Sequence, residues 1–127
     1  MKQAGFYACA ADVLAAVSPT RNSWEPLATR YLEEGAVVVA SPSWVDDMLN
    51  GDIKRICRYS VLTDGEWVWP SCLVYYVKTY HVAIPVEFLE HMAARNWKIG
   101  ALDEDLLENI GEQLMGGGSG SPPVIQN

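Results

Sequence analysis

The 127-residue sequence predicts an α+β fold, a small antiparallel sheet packed by four or five short helices. Two observations carry that expectation. Asp64-Gly65 stands between two strand-forming runs, Arg58–Leu62 and Glu66–Trp69, which is how a hairpin closed by a two-residue turn is written. Directly after it, Leu73, Tyr76, Val77 and Tyr80 repeat at i, i+3, i+4 and i+7, the spacing of one apolar helical stripe.

The remaining elements follow in order. Phe6–Val17 is rich in alanine and other helix formers and ends at Ser18-Pro19. Ser23 suits an N-cap with Pro26 in the first turn, and Gly35 suits the position past the helix end. Val37, Val38 and Val39 predict a short buried strand. Ser41-Pro42 opens a short helix carrying Trp44, Val45, Met48 and Leu49, which Asn50-Gly51 stops. In the hairpin a two-residue loop sets Leu62 opposite Trp67 and Ser60 opposite Trp69, with Val61 and Val68 meeting on the other face. Both faces carry apolar residues, so both should be covered. Pro70-Ser71 begins the striped helix, and Pro85 begins another that buries Phe88 and Met92 and turns Glu87, Glu90 and Arg95 to water. A last helix, Leu102–Met115, faces Leu106, Leu107, Ile110 and Leu114 inward. Residues 1–115 therefore form a single domain, and 116–127 a flexible Gly/Ser/Pro tail that resembles an engineered spacer as much as a natural terminus.

Composition narrows the class. Half the residues are hydrophobic, enough for a globular core, and the longest apolar runs fall well short of the roughly 20 residues of a spanning helix. Asp12 interrupts the apolar stretch behind the N-terminus, which argues against a signal peptide. Cys9, Cys57 and Cys72 are odd in number and widely spaced, and are read as reduced thiols of a cytoplasmic protein. The net charge of −7 disfavours direct binding to nucleic acid and favours encounter with a basic partner. Nothing indicates a membrane, a cofactor or a metal: no CxxC pair, HExxH, GxGxxG, P-loop or GxSxG occurs.

Three groups of residues are candidate sites. Cys72 with His81 or His91 could form a thiolate–imidazole pair, although Cys72 opens a stripe-forming helix where a small buried residue is expected, and Glu87 and His91 suit a surface pair one turn apart. Trp67, Trp69, Tyr76 and Tyr80 fit core packing, whereas Tyr75 lies off the stripe and suits an interface. Asp103, Glu104, Asp105, Glu108 and Glu112 follow one another with no basic residue beyond Ile99. Helix-dipole stabilisation accounts for the first three of these acids but not for Glu108 and Glu112.

The segment Asp64–Phe88, DGEWVWPSCLVYYVKTYHVAIPVEF, resembles a block of small bacterial proteins through Asp64-Gly65, Trp67, Trp69-Pro70, Leu73, Tyr75-Tyr76, Tyr80, Pro85 and Phe88. The pattern is similar to immunity-type proteins of bacterial toxin systems. Cys72 departs from it, standing where an acidic residue is expected. The resemblance implies a hairpin–helix–helix core and no catalytic residues. The leading expectation is then an immunity-type or inhibitor protein that covers a basic toxin or effector with Asp103–Glu112 and Tyr75, joined by Glu33-Glu34 or Asp46-Asp47. The alternatives are a small Cys/His enzyme and a phage-type inhibitor that mimics nucleic acid.

Overall fold

In chain order the computed structural model, which describes residues 1–115, has β1 (Lys2–Gln3), α1 (Ala10–Ala16), α2 (Glu25–Glu33), β2 (Ala36–Val45), β3 (Cys57–Thr63), β4 (Trp67–Pro70), α3 (Leu73–Tyr80), α4 (Val86–Ala94) and α5 (Glu104–Met115). The fold is α+β. The four strands lie in the order β1-β4-β3-β2. β3 runs antiparallel to both β2 and β4, which is the antiparallel sheet expected around the hairpin, and β1 adds a short parallel pairing on β4 that makes the whole sheet mixed.

The hairpin forms in a different register. Leu62 faces Trp69 and Thr63 faces Val68, two residues from the expected Leu62–Trp67 pairing. The cause is the Asp64 side chain. Its Oδ1 accepts the backbone N–H groups of Glu66 and Trp67 at 2.9 and 2.8 Å, which widens the two-residue turn into a loop with positive φ at Gly65 alone. A slip of one residue would exchange the faces of the strand, but a slip of two preserves them. Val61 and Val68 therefore still share a face, packed with Phe6 and Ile110, and Trp67 and Trp69 still point to the other.

That second face holds the main core. Trp67 stacks on Phe88 at 4.5 Å, and Trp69 lies between Phe88 and Tyr31. Trp69 Nε1 donates to the Leu32 carbonyl at 3.1 Å, which satisfies the one polar atom of the ring. Leu73, Tyr76 and Val77 of the stripe are buried as expected, and so are Phe88 and Met92.

The largest departure is at residues 41–49, expected as a helix. β2 instead continues to Val45, and residues 46–56 form a loop. Because β2 is an outer strand, the missing N–H of Pro42 can face away from the ladder. The pairing also jumps between Ala40–Ser60 and Trp44–Arg58, so an irregularity absorbs the Ser41-Pro42-Ser43 segment. The short buried strand expected at Val37, Val38 and Val39 is corrected with it: Val37 is 54% exposed and the other two are half-buried. In addition, α1 begins at Ala10 rather than Phe6, because Gly5 at φ +78° turns the chain over Leu73 first.

The expectation of three reduced thiols is corrected. Cys57 and Cys72 form a disulfide with Cα atoms 5.9 Å apart, and Cys9 is free and exposed. The hairpin brings the two together. The Ser71 N–H donates to the Ser60 carbonyl at 2.8 Å, fixing the start of α3 beside β3. A cross-link closing a loop of this length contributes about 3 kcal/mol through the entropy of the unfolded chain. Unfolded, unreduced protein should accordingly titrate as one thiol per chain, and reduction should lower the urea midpoint. Three thiols before reduction, with no change in midpoint, would exclude the pairing.

Candidate functional site

α5 is amphipathic, and only its narrow apolar side meets the rest of the protein. Ile110 is buried against Val61, Val68 and Phe6, with Val38, Val39 and Leu114 around them. A Cβ on Gly111 would stand 2.8 Å from the Val38 carbonyl oxygen, so glycine is what lets the helix lie close on β2. Leu106 was expected inward but is 39% exposed, at the side of α5 nearest the hairpin turn at Gly65.

All five predicted acids, Asp103, Glu104, Asp105, Glu108 and Glu112, are exposed. Glu108 and Glu112 border a shallow groove of about 430 Å³ between α5 and β2, whose apolar wall comes from Val37, Val38, Leu107 and Met115. Val37 and Met115 are each about half exposed there. The surface thus combines carboxylates on one helix, apolar atoms beside them and the outer strand of the sheet. None of the five acids forms a salt bridge among the described residues. Their charge is left uncompensated by neighbouring side chains.

Tyr75 lies elsewhere. It is half-buried, and its hydroxyl donates to Asp47 Oδ2 at 2.6 Å, where Tyr80 also donates at 2.7 Å. The structure therefore does not join Tyr75 to the α5 acids by any hydrogen bond or ring contact among the described residues. Asp47 itself is buried and tied into the 46–56 loop through the Leu49 and Asn50 N–H groups. Burial raises its carboxyl, but the hydrogen bonds from Tyr75, Tyr80 and the two amides outweigh that and hold it below the usual carboxylate range. Glu33, Glu34 and Asp46 are exposed, but each is paired, with Lys78, Arg30 and Lys54 respectively.

Two further buried carboxylates escaped the sequence reading. Asp64, fully buried, accepts from Tyr31 and the two turn amides, while His91 Nε2 lies 2.7 Å away and Arg95 donates to its backbone carbonyl at 3.0 Å. His91 Nδ1 stands 3.2 Å from Glu66, so His91 pairs with the hairpin loop and not with Glu87 as expected. Glu25 is buried at the start of α2, bonded by the Asn22 N–H at 2.6 Å and by His81 Nδ1 at 3.0 Å. His81 adopts a left-handed conformation at the end of α3, φ 55°, held by this contact and by the bond from its N–H to the Val77 carbonyl. The tyrosine and histidine partners of these two carboxylates, Tyr31, His81 and His91, lie 27 to 56 residues away along the chain, and no local pattern announces them.

The proposed thiolate–imidazole pair does not assemble. Cys72 is bonded to Cys57, and the two histidines are each committed to carboxylates. Among the described residues no group of three or more His, Cys, Asp or Glu side chains could hold a metal ion, and no helix is long and apolar enough to cross a membrane. What the α5 surface can do chemically is attract and orient cationic groups while offering apolar contact. No protein-family model, curated protein or solved structure matches the chain.

Proposed function

We propose that this protein is an immunity-type or inhibitor protein that binds a basic toxin or effector through the α5–β2 surface. The observation that carries the reading is the uncompensated carboxylate row of α5 beside an exposed apolar groove. Carboxylates steer a basic partner and set its orientation, and the groove supplies the area that is removed from water on docking. The outer position of β2 adds backbone groups that a partner's strand can pair with. We place the encounter in the cytoplasm. The Cys57–Cys72 disulfide counts against that compartment, since disulfides are rare in reducing ones, and the thiol count of protein taken from its host decides between the two.

The test begins with recovery of a stoichiometric basic partner from host lysate and proceeds to kinetics with the purified pair. Glu108→Lys with Glu112→Lys reverses charge at exposed positions and should leave the fold intact. Association is expected to slow about tenfold or more at low salt, with a weaker dependence on ionic strength. Unchanged, salt-dependent association rates would overturn the assignment to α5. Competition of the partner's binding by DNA would instead favour the nucleic-acid-mimicking inhibitor.

A further inference from the structure

A second cavity shares no residue with the α5–β2 groove. It opens to solvent between the 5–8 segment, the end of β2 and the start of α3, with a volume of about 200 Å³. Its walls are held from several sides. Gly5 must be glycine for the chain to pass over Leu73, since a Cβ there would meet the Leu73 side chain at 2.7 Å. That turn lays Phe6, Tyr7 and Ala8 along one wall. Opposite them, the Met48 N–H donates to the Tyr76 hydroxyl at 3.0 Å, tying the 46–56 loop to α3. The disulfide fixes Cys72, a third wall residue, to β3. A site held in this way exists before any ligand arrives, which lowers the ordering cost of binding.

The chemistry of the lining defines what fits. No lining residue carries a charge, and apart from sulfur the only polar side-chain atoms are the hydroxyls of Tyr7, Tyr59 and Tyr76. Tyr7 and Tyr76 meet edge to face at 6.2 Å. The hydroxyls of Tyr7 and Tyr59 have no hydrogen-bond partner among the described residues, unlike those of Tyr31, Tyr75, Tyr76 and Tyr80. Burial, reinforced by Tyr76, pushes Tyr7 up to about 12, so it is a proton donor at any physiological pH. The volume slightly exceeds the roughly 150 Å³ of an apolar cavity that accepts benzene. An ion would lose its hydration there without gaining a counter-charge.

We propose that this cavity is a binding site for a small uncharged molecule, one substituted ring in size, with a single acceptor oxygen taken by the hydroxyl of Tyr7 or Tyr59. The site is independent of the protein-binding reading and stands or falls separately.

The probe is p-cresol, titrated into the full chain labelled with carbon-13 at its methionine methyl groups. Met48 lies in the cavity wall, Met92 in the core, and Met1 and Met115 on the surface. The Met48 methyl should shift saturably with a Kd of about 1 mM or tighter, with Met1 and Met115 unmoved. Toluene should bind too, and benzoate should not. Tyr7→Phe with Tyr59→Phe should weaken p-cresol about fivefold and leave toluene unchanged, the loss expected for one neutral hydrogen bond. An unshifted Met92 signal certifies that this near-isosteric variant is folded. No saturation at Met48, equal shifts at Met1 and Met115, equal binding of benzoate, or equal p-cresol affinity in the variant would each overturn the proposal.

Discussion

Asp64→Ala is expected to destabilise the protein by about 3–5 kcal/mol, the usual cost of removing one partner from a buried polar network. Asp64 is fully buried and joins four parts of the chain: Tyr31 of α2, the turn amides of Glu66 and Trp67, His91 of α4 and Arg95 just beyond it. Alanine leaves the Tyr31 hydroxyl and the Trp67 N–H buried without their acceptor, and lets the turn revert to a shorter loop. Burial pushes the Asp64 carboxyl up, but the bonds from Tyr31, Trp67, Glu66 and His91 more than offset this and hold it below the usual range. A carboxyl lowered by folding contributes stability that is present above its unfolded pKa of about 3.9 and is lost as pH falls through the folded value. Asp47 and Glu25 are lowered in the same way and act in the same window. Stability of the native protein should therefore decline below about pH 4. Asp64→Asn, which keeps the shape and loses the charge, should show a shallower decline. Urea denaturation at pH 7 and between pH 5 and 2 checks both effects. An Asp64→Ala variant within about 0.5 kcal/mol of native, the range of an ordinary surface change, would mean the network holds nothing together.

What could be read from the sequence was whatever is local and periodic. The stripe Leu73–Tyr76–Val77 and the pair Phe88–Met92 report one helix face each, and both faces are buried. The hairpin was legible because Asp-Gly carries its own backbone preference. Its register was not, because the same aspartate has a side chain that caps the turn and a second partner on α4. Residues 41–45 misled for a related reason. Serine and proline open helices in general, and only the outer position of β2 makes proline compatible with a strand there. The exposed acids of α5 could be anticipated because net charge and helical spacing both lie in the sequence. The burial of Asp47, Asp64 and Glu25 could not, since each depends on tyrosine or histidine partners brought from distant elements.

Trp69→Ala should match the Asp64 variant in size, at about 3–5 kcal/mol, by deleting the ring that joins the sheet to α2 and α4. Trp69 is 1% exposed, contacts Tyr31 and Phe88 ring to ring, and uses its Nε1 on the Leu32 carbonyl. The ring has room only because residue 35 lacks a side chain. A Cβ there would stand 2.5 Å from Trp69 Cζ2 and 3.0 Å from Leu62 Cβ. Gly35 does stand just past the end of α2, as expected, and at that position it also allows the close approach of backbone to indole. Gly35→Ala should then cost about 1–3 kcal/mol as overpacking. In a Trp69→Phe background, where the outer indole atoms are gone, the same substitution should cost less, leaving a coupling of about 1 kcal/mol between the two positions. Four urea titrations close the cycle. Equal penalties for Gly35→Ala in both backgrounds would show that Leu62 or the backbone, and not the indole, sets the requirement for glycine.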